Sequence, residues 1–137
     1  MKQTLLTFSL LKDAMKGIVD ADLLARIIKE SGYDEADLME FEFMVYGREK
    51  LFRAFEKYGV KLGCLIAYPP FYTDPAGVKD HIRKCLELAQ AAGAKYLMVV
   101  PGSNDQEAVT KLSRQEALDL AVQGFAACVE EAGPYGI

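Results

Sequence analysis

Two rhythms of hydrophobic and polar positions alternate along the chain. Apolar-rich runs of strand length fall near Thr4–Ser9, Asp37–Phe43, Lys61–Tyr68 and Tyr96–Val100. Between them, apolar residues recur at three- and four-residue spacing, the period of a helix with one buried face. Leu23, Leu24, Ile27 and Ile28 form such a face behind Asp20, a side chain suited to cap a helix start. Leu51, Phe52 and Phe55 mark a second helix. A third opens at Asp74-Pro75 and turns Val78, Ile82, Leu86 and Ala89 inward. Ser113 and Glu116 form a capping box for a fourth, with Leu118, Val122, Phe125 and Val129 as its buried face.

The joins between helix and strand repeat. Gly32, Gly59 and Gly93 each stand between the end of a helix pattern and the next apolar run, where a left-handed residue closes the helix. Gly133 holds the same place in a fourth copy, so a fifth strand is expected to begin near Tyr135, two residues before Ile137. Strands alternating with helices, and strands with little polar interruption, predict a parallel sheet covered by helices. Two architectures satisfy that pattern: an open doubly wound sheet of the flavodoxin-like kind, or part of a (βα)8 barrel. The segment after the first strand has one glycine, and the chain has neither GxGxxG nor GxxxxGK[ST], so the phosphate loops of nucleotide-binding open sheets are missing.

Composition narrows the setting. The 137 residues suit one domain with one core; 51% are hydrophobic, 26% are charged, and the net charge is −4. No Lys/Arg stripe is present, which excludes a nucleic-acid partner. Apolar runs such as Tyr96–Val100 are too short to span a bilayer, and the N-terminus lacks a signal-peptide pattern. Cys64, Cys85 and Cys128 are odd in number and contain no CxxC pair, so neither disulfides nor a zinc site is expected, and the setting is read as cytoplasmic.

The joins also carry a family resemblance. The run Gly32-Tyr33 through Asp37, Leu38, Met39, Glu40 and Phe41 resembles the second strand of sugar-phosphate isomerases and epimerases of the xylose-isomerase-like TIM-barrel superfamily. It departs from that pattern by the three residues Asp34, Glu35 and Ala36. The segment Tyr58–Tyr68 is similar to the family's third strand, Ala91–Gly102 to its fourth, and Cys128–Ile137 to the approach to its fifth. The resemblance implies a single α/β domain over residues 1–137, the (βα)4 N-terminal half of a TIM barrel, truncated at the start of strand five. It also implies a divalent metal (Mn, Mg, Co or Zn) in the full fold, held by Glu, Asp, His and Glu of later strands. None of those positions matches a residue here, so no metal and no catalytic residue is assigned to this chain alone, which is expected to be inactive by itself.

Substrate-binding candidates are the strand ends, because barrel ligands sit there. Glu40 and Glu42, two apart at the end of the second strand, are read as carboxylates on one face, facing the barrel mouth and able to grip sugar hydroxyls. Tyr68 and Phe71, with Tyr72, lie past the third strand and offer rings for stacking on a sugar. Asn104, between Ser103 and Asp105, follows the fourth strand and offers a hydrogen-bonding amide. His81, the one histidine, falls inside a helix pattern and is read as a surface residue; the three cysteines are read as core fillers.

The functional expectation is a portion of a metal-dependent sugar or sugar-phosphate isomerase/epimerase. The alternatives are a non-catalytic half-barrel and an open α/β sheet binding a small ligand. A half-barrel leaves an inner face, read here as Leu6, Leu38, Leu65 and Met98, without cover. A homodimer or a complementary half-barrel partner is expected for that reason.

Overall fold

A computed structural model describes residues 4–102 and 106–137. Its centre is a four-stranded sheet in the order β1-β2-β3-β4, with β1 at Leu5–Leu6, β2 at Glu35–Met39, β3 at Lys61–Ala67 and β4 at Tyr96–Val99. All three pairings are parallel. Each strand lies beside its neighbour in sequence, so the order never reverses. A doubly wound sheet requires a switch point where it does. The sheet is therefore half of a barrel, and the flavodoxin-like alternative is excluded.

The helices are α1 (Leu11–Met15), α2 (Ala21–Glu30), α3 (Glu42–Tyr46), α4 (Arg48–Tyr58), α5 (Val78–Ala91), α6 (Gln106–Thr110) and α7 (Arg114–Ala132). The main core lies under helices on one side of the sheet, while Leu11, at the start of α1, packs against Met39, Cys64 and Ile66 on the other. The starts follow the sequence signals. Asp20 accepts from the Leu23 amide at 2.8 Å, Asp74 accepts from the Gly77 amide at 3.1 Å, and both bonds of the Ser113–Glu116 capping box are present. Gly32, Gly59 and Gly93 take φ of +86°, +64° and +67°, the left-handed closure expected of them. Lys57 and Tyr58 of α4 both bond Asp22 of α2, at 2.6 and 2.8 Å, and tie the two helices side by side.

Several elements differ from the sequence reading. The first strand is two residues long because Thr7–Leu10 coils into a 3-10 turn that runs into α1. The second stops at Met39, and α3 begins at Glu42, so Glu40 and Glu42 do not share a strand face. No fifth strand starts at Tyr135. Gly133 has φ −47° and continues α7 into a 3-10 turn over Gly133–Tyr135; Gly136, at φ +67°, takes the left-handed position instead.

Strand parity is also corrected. Leu38 and Leu65 are paired and fully buried under the helices, in the main core with Leu24, Ile28, Leu51, Ile82 and Leu86. The opposite, inner face carries Leu6, Asp37, Met39, Cys64, Ile66, Tyr96 and Met98, which alternate with Leu38 and Leu65 along the paired register. Leu6, Tyr96 and Met98 there are 50%, 68% and 52% exposed.

α7 reverses the expected orientation in the same way. It lays Gly124 and Cys128 inward and leaves Leu118, Val122 and Val129 mostly exposed, with Phe125 partly so. The reason is shape and charge together. Gly124 leaves room for the Phe71 ring, and the Lys79–Glu130 (2.7 Å) and Arg83–Glu131 (3.1 Å) ion pairs fix the rotation of α7 on α5.

Candidate functional site

At the strand ends, Glu40 sits where β2 has finished its ladder. Its amide still bonds the Ile66 carbonyl at 2.9 Å, and the chain then turns into α3. With β2 gone, the next amide of the β3 edge, Tyr68 N–H, has no strand carbonyl to meet. Glu40 Oε1 accepts it at 2.8 Å, so a side chain extends the ladder by one bond. That bond fixes the carboxylate plane and points Oε2 at α5.

On α5, His81 and Cys85 stand four apart and therefore on one face. His81 Nε2 lies 2.7 Å from Glu40 Oε2, and the Cys85 thiol donates to the same oxygen at 2.8 Å. One carboxylate oxygen is thus held by an imidazole and a thiol, 41 and 45 residues away in sequence. Burial pushes the Glu40 carboxyl up, but hydrogen bonds from His81, Cys85 and the Tyr68 amide outweigh it and hold the group below its ordinary 4.5. Burial, then the neighbouring Glu40, pushes the Cys85 thiol well above its ordinary range.

The three groups line a cavity of about 520 Å³ together with Phe41, Met44, Tyr68, Lys84 and Gly102. Gly102 belongs there for a steric reason: a Cβ would fall 2.8 Å from the Tyr68 carbonyl oxygen, so only glycine lets the β4 exit pass so close to the β3 exit. A smaller hollow of about 320 Å³ adjoins, bounded by Asp74 and Asp80. A larger one of about 810 Å³, between α2 and α4, is an outer hollow among solvent-facing charges such as Asp22, Arg53 and Lys57. Arg53 is paired there with Glu49 and Lys57 with Asp22, and among the described residues the hollow holds no cluster like the one at Glu40.

The sequence candidates separate accordingly. Glu40 and Tyr68 come together in the cavity, with the Tyr68 ring 5.9 Å from Phe41. Glu40 faces α5 instead of the inner barrel surface. Glu42 is fully buried: its carboxylate accepts from Thr7 Oγ1 and from the Met39 amide at 2.8 Å, and burial raises it above 4.5 despite those bonds. It bolts α3 to the start of the chain and has no access to a ligand. Phe71 is also fully buried, edge-on to Phe125 at 5.0 Å, so no sugar can stack on it. Asn104 lies outside the described residues. His81 is not a free surface residue, and Cys85 is more than a core filler. The His-x3-Cys spacing on a helix was the one trace of this in the sequence; the partnership with Glu40 needed the fold.

No protein-family model and no curated protein sequence matches the chain. Solved structures do. A sugar phosphate isomerase/epimerase from Parabacteroides distasonis ATCC 8503 superposes with a TM-score of 0.69 at 10% identity, over 99% of this chain and 49% of that one. A protein from Sinorhizobium meliloti 1021 superposes with a TM-score of 0.62 at 19% identity, over 90% of this chain and 46% of that one. The chain spans about half the length of the solved chains it matches. At these identities the likeness establishes the fold alone, half of a (βα)8 barrel.

Proposed function

We propose that this chain works as one half of a sugar or sugar-phosphate isomerase/epimerase barrel, supplying strand-end walls for the substrate. The observation that supports this best is the unbroken β1-β2-β3-β4 order laid over 49% of a sugar phosphate isomerase/epimerase chain. In such a barrel the ligand sits at the C-terminal strand ends. Here those ends offer Glu40, Tyr68 and the backbone around Gly102, with Lys84, paired to Asp80 at 2.6 Å, as the cation that a phosphate would draw away from that exposed partner. Isomerisation moves a proton between neighbouring carbons of the sugar, and a divalent metal, in the full fold, orients the two oxygens. Among the described residues, Phe41, Tyr68 and Val100 close the inner-face cluster at the strand ends, and these side chains do not fit a cation. The chemistry is assigned to the half that completes the barrel, and this chain's part is binding.

Completion is the second element of the reading. The exposed inner-face residues Leu6, Tyr96 and Met98 are matched to another (βα)4 unit, either a second copy or a complementary half. Amide chemical shifts of the labelled chain, recorded with chelator present, test the binding role against a panel of aldose and ketose phosphates. Shifts at Glu40, Tyr68 and Gly102 with a sugar phosphate, and smaller ones with inorganic phosphate, are expected. No shift at millimolar ligand, or shifts confined to the N-terminal ends of the strands, would overturn it.

A further inference from the structure

Glu40, His81 and Cys85 present a carboxylate oxygen, an imidazole nitrogen and a thiol sulfur that all lie within 4.8 Å of one another. We infer that this trio is a Zn²⁺ site of its own, between the end of β2 and α5, with its fourth position open to the strand-end cavity. The inference does not depend on the sugar reading above.

Donor chemistry selects the ion. Thiolate and imidazole favour zinc over magnesium or manganese, which prefer sets of oxygen ligands. Three protein ligands and one free position make the pattern of an open zinc site, whereas a purely structural site is closed by four. Geometry is close to what is needed. Tetrahedral zinc, with bonds of about 2.0–2.3 Å, separates its donors by about 3.3–3.6 Å. The two contacts to Oε2 are now 2.7 and 2.8 Å, so the donors must open by less than about 1 Å, within reach of small side-chain rotations. His81 and Cys85, one turn apart on a single helix, move as a unit. Glu40 is already oriented through its other oxygen by the Tyr68 amide, the kind of supporting bond that conserves a ligand's aim.

Protons balance simply. In the metal-free protein, Oε2 receives hydrogen bonds from both the imidazole and the thiol. Zinc replaces both: the thiol proton leaves to solvent, and the single proton of the neutral imidazole passes from Nε2 to Nδ1, which frees Nε2 to bind the ion. Glu40 and the Cys85 thiolate then offset the +2 charge, and the partly buried centre is neutral. The cavity-side position is left for water or for an oxygen of a bound molecule, with Lys84 alongside.

Co²⁺ is the probe, because a cysteine ligand reports itself by a thiolate-to-metal charge-transfer band. One equivalent of Co²⁺ added to the reduced chain is expected to give that band with the visible absorption of a tetrahedral ion, and Zn²⁺ to bleach it. Zinc binding near neutral pH is expected to release one proton from the thiol. His81→Ala and Cys85→Ser are each expected to weaken binding by more than about 100-fold, since even an outer supporting contact is worth 10–100-fold. Cys128→Ser is expected to keep the band. Cys85 is buried, so far-ultraviolet circular dichroism checks that variant's fold, and His81→Ala, at a half-exposed position, stands as the independent arm. No thiolate band at stoichiometric Co²⁺ in the folded chain would overturn the site, as would a band that persists in Cys85→Ser or His81→Ala.

Discussion

Thr7 and Glu42, 35 residues apart, meet in the core with the Thr7 hydroxyl 2.7 and 2.8 Å from the two carboxylate oxygens. The same hydroxyl lies 3.2 Å from the Asp37 carbonyl. One hydroxyl proton therefore faces three acceptors. If Glu42 carries a proton, it donates to Thr7, and Thr7 donates to Asp37; every group is then served. Burial raises the Glu42 carboxyl above its ordinary 4.5, and the hydrogen bonds from Thr7 and the Met39 amide only partly oppose it.

A raised carboxyl means that folding takes up a proton. The stability it contributes is present below the ordinary 4.5 and is lost as pH rises through the folded-state value. Glu42→Gln, which is neutral throughout, is expected to lose less stability than the wild type across that window, with slopes differing by up to about 1.4 kcal/mol per pH unit. Urea unfolding of both proteins from pH 4 to 8 measures this. Parallel stability profiles would show that Glu42 is ionised in the core.

Glu40 has the opposite sign. Its folded-state value is lowered, so its contribution is present above 4.5 and disappears as pH falls through the lower value. In Glu40→Gln, an amide NH2 would confront the His81 and Cys85 donors, or else the Tyr68 amide. A loss of about 1–3 kcal/mol is expected at neutral pH in chelator, shrinking in acid. A loss that does not change with pH would assign the effect to packing.

Gly124 and Phe71 supply a third test. A Cβ on Gly124 would lie 2.6 Å from the Phe71 ring. Glycine to alanine inside an exposed helix usually adds up to about 1 kcal/mol, but here overpacking is expected to cost about 1–3 kcal/mol. Phe71→Leu, which removes the obstructing ring edge, is expected to recover part of that loss in the double variant. An additive pair would disconnect the two residues.

Much of the architecture was legible in the sequence because its signals are local. Asp20, Asp74 and Ser113 cap helices through bonds to residues three positions on. Gly32, Gly59 and Gly93 close helices through their own φ. What the sequence did not carry is which face of an element meets which neighbour. Leu118, Val122, Phe125 and Val129 have helical period and apolar character, yet the buried positions of α7 are the smaller Gly124 and Cys128 beside them. Likewise Glu40 and Glu42 look equivalent in sequence. The turn into α3 sends one towards α5 and the other into the core beside Thr7.

The inner face leads to a fourth test. Leu6, Tyr96 and Met98 leave apolar area exposed, and each 100 Å² covered would contribute about 2.5 kcal/mol. The chain is expected to self-associate at micromolar concentration in sedimentation velocity, and Tyr96→Lys with Met98→Lys to shift it to a monomer with little change in melting temperature. A 15.2 kDa species at every concentration would count against a second copy as the completing half.

The unreversed strand order also bears on how the chain reaches this shape. Each strand pairs with the one made just before it, so no later segment has to insert between two already joined. A polypeptide leaving the ribosome can lay down β2 on β1, β3 on β2 and β4 on β3 in the order of synthesis, with the helices of the main core following their strands onto one side. Loops to be closed stay near one βα repeat in length, which keeps the entropy of each step low. The growing edge is always the newest strand.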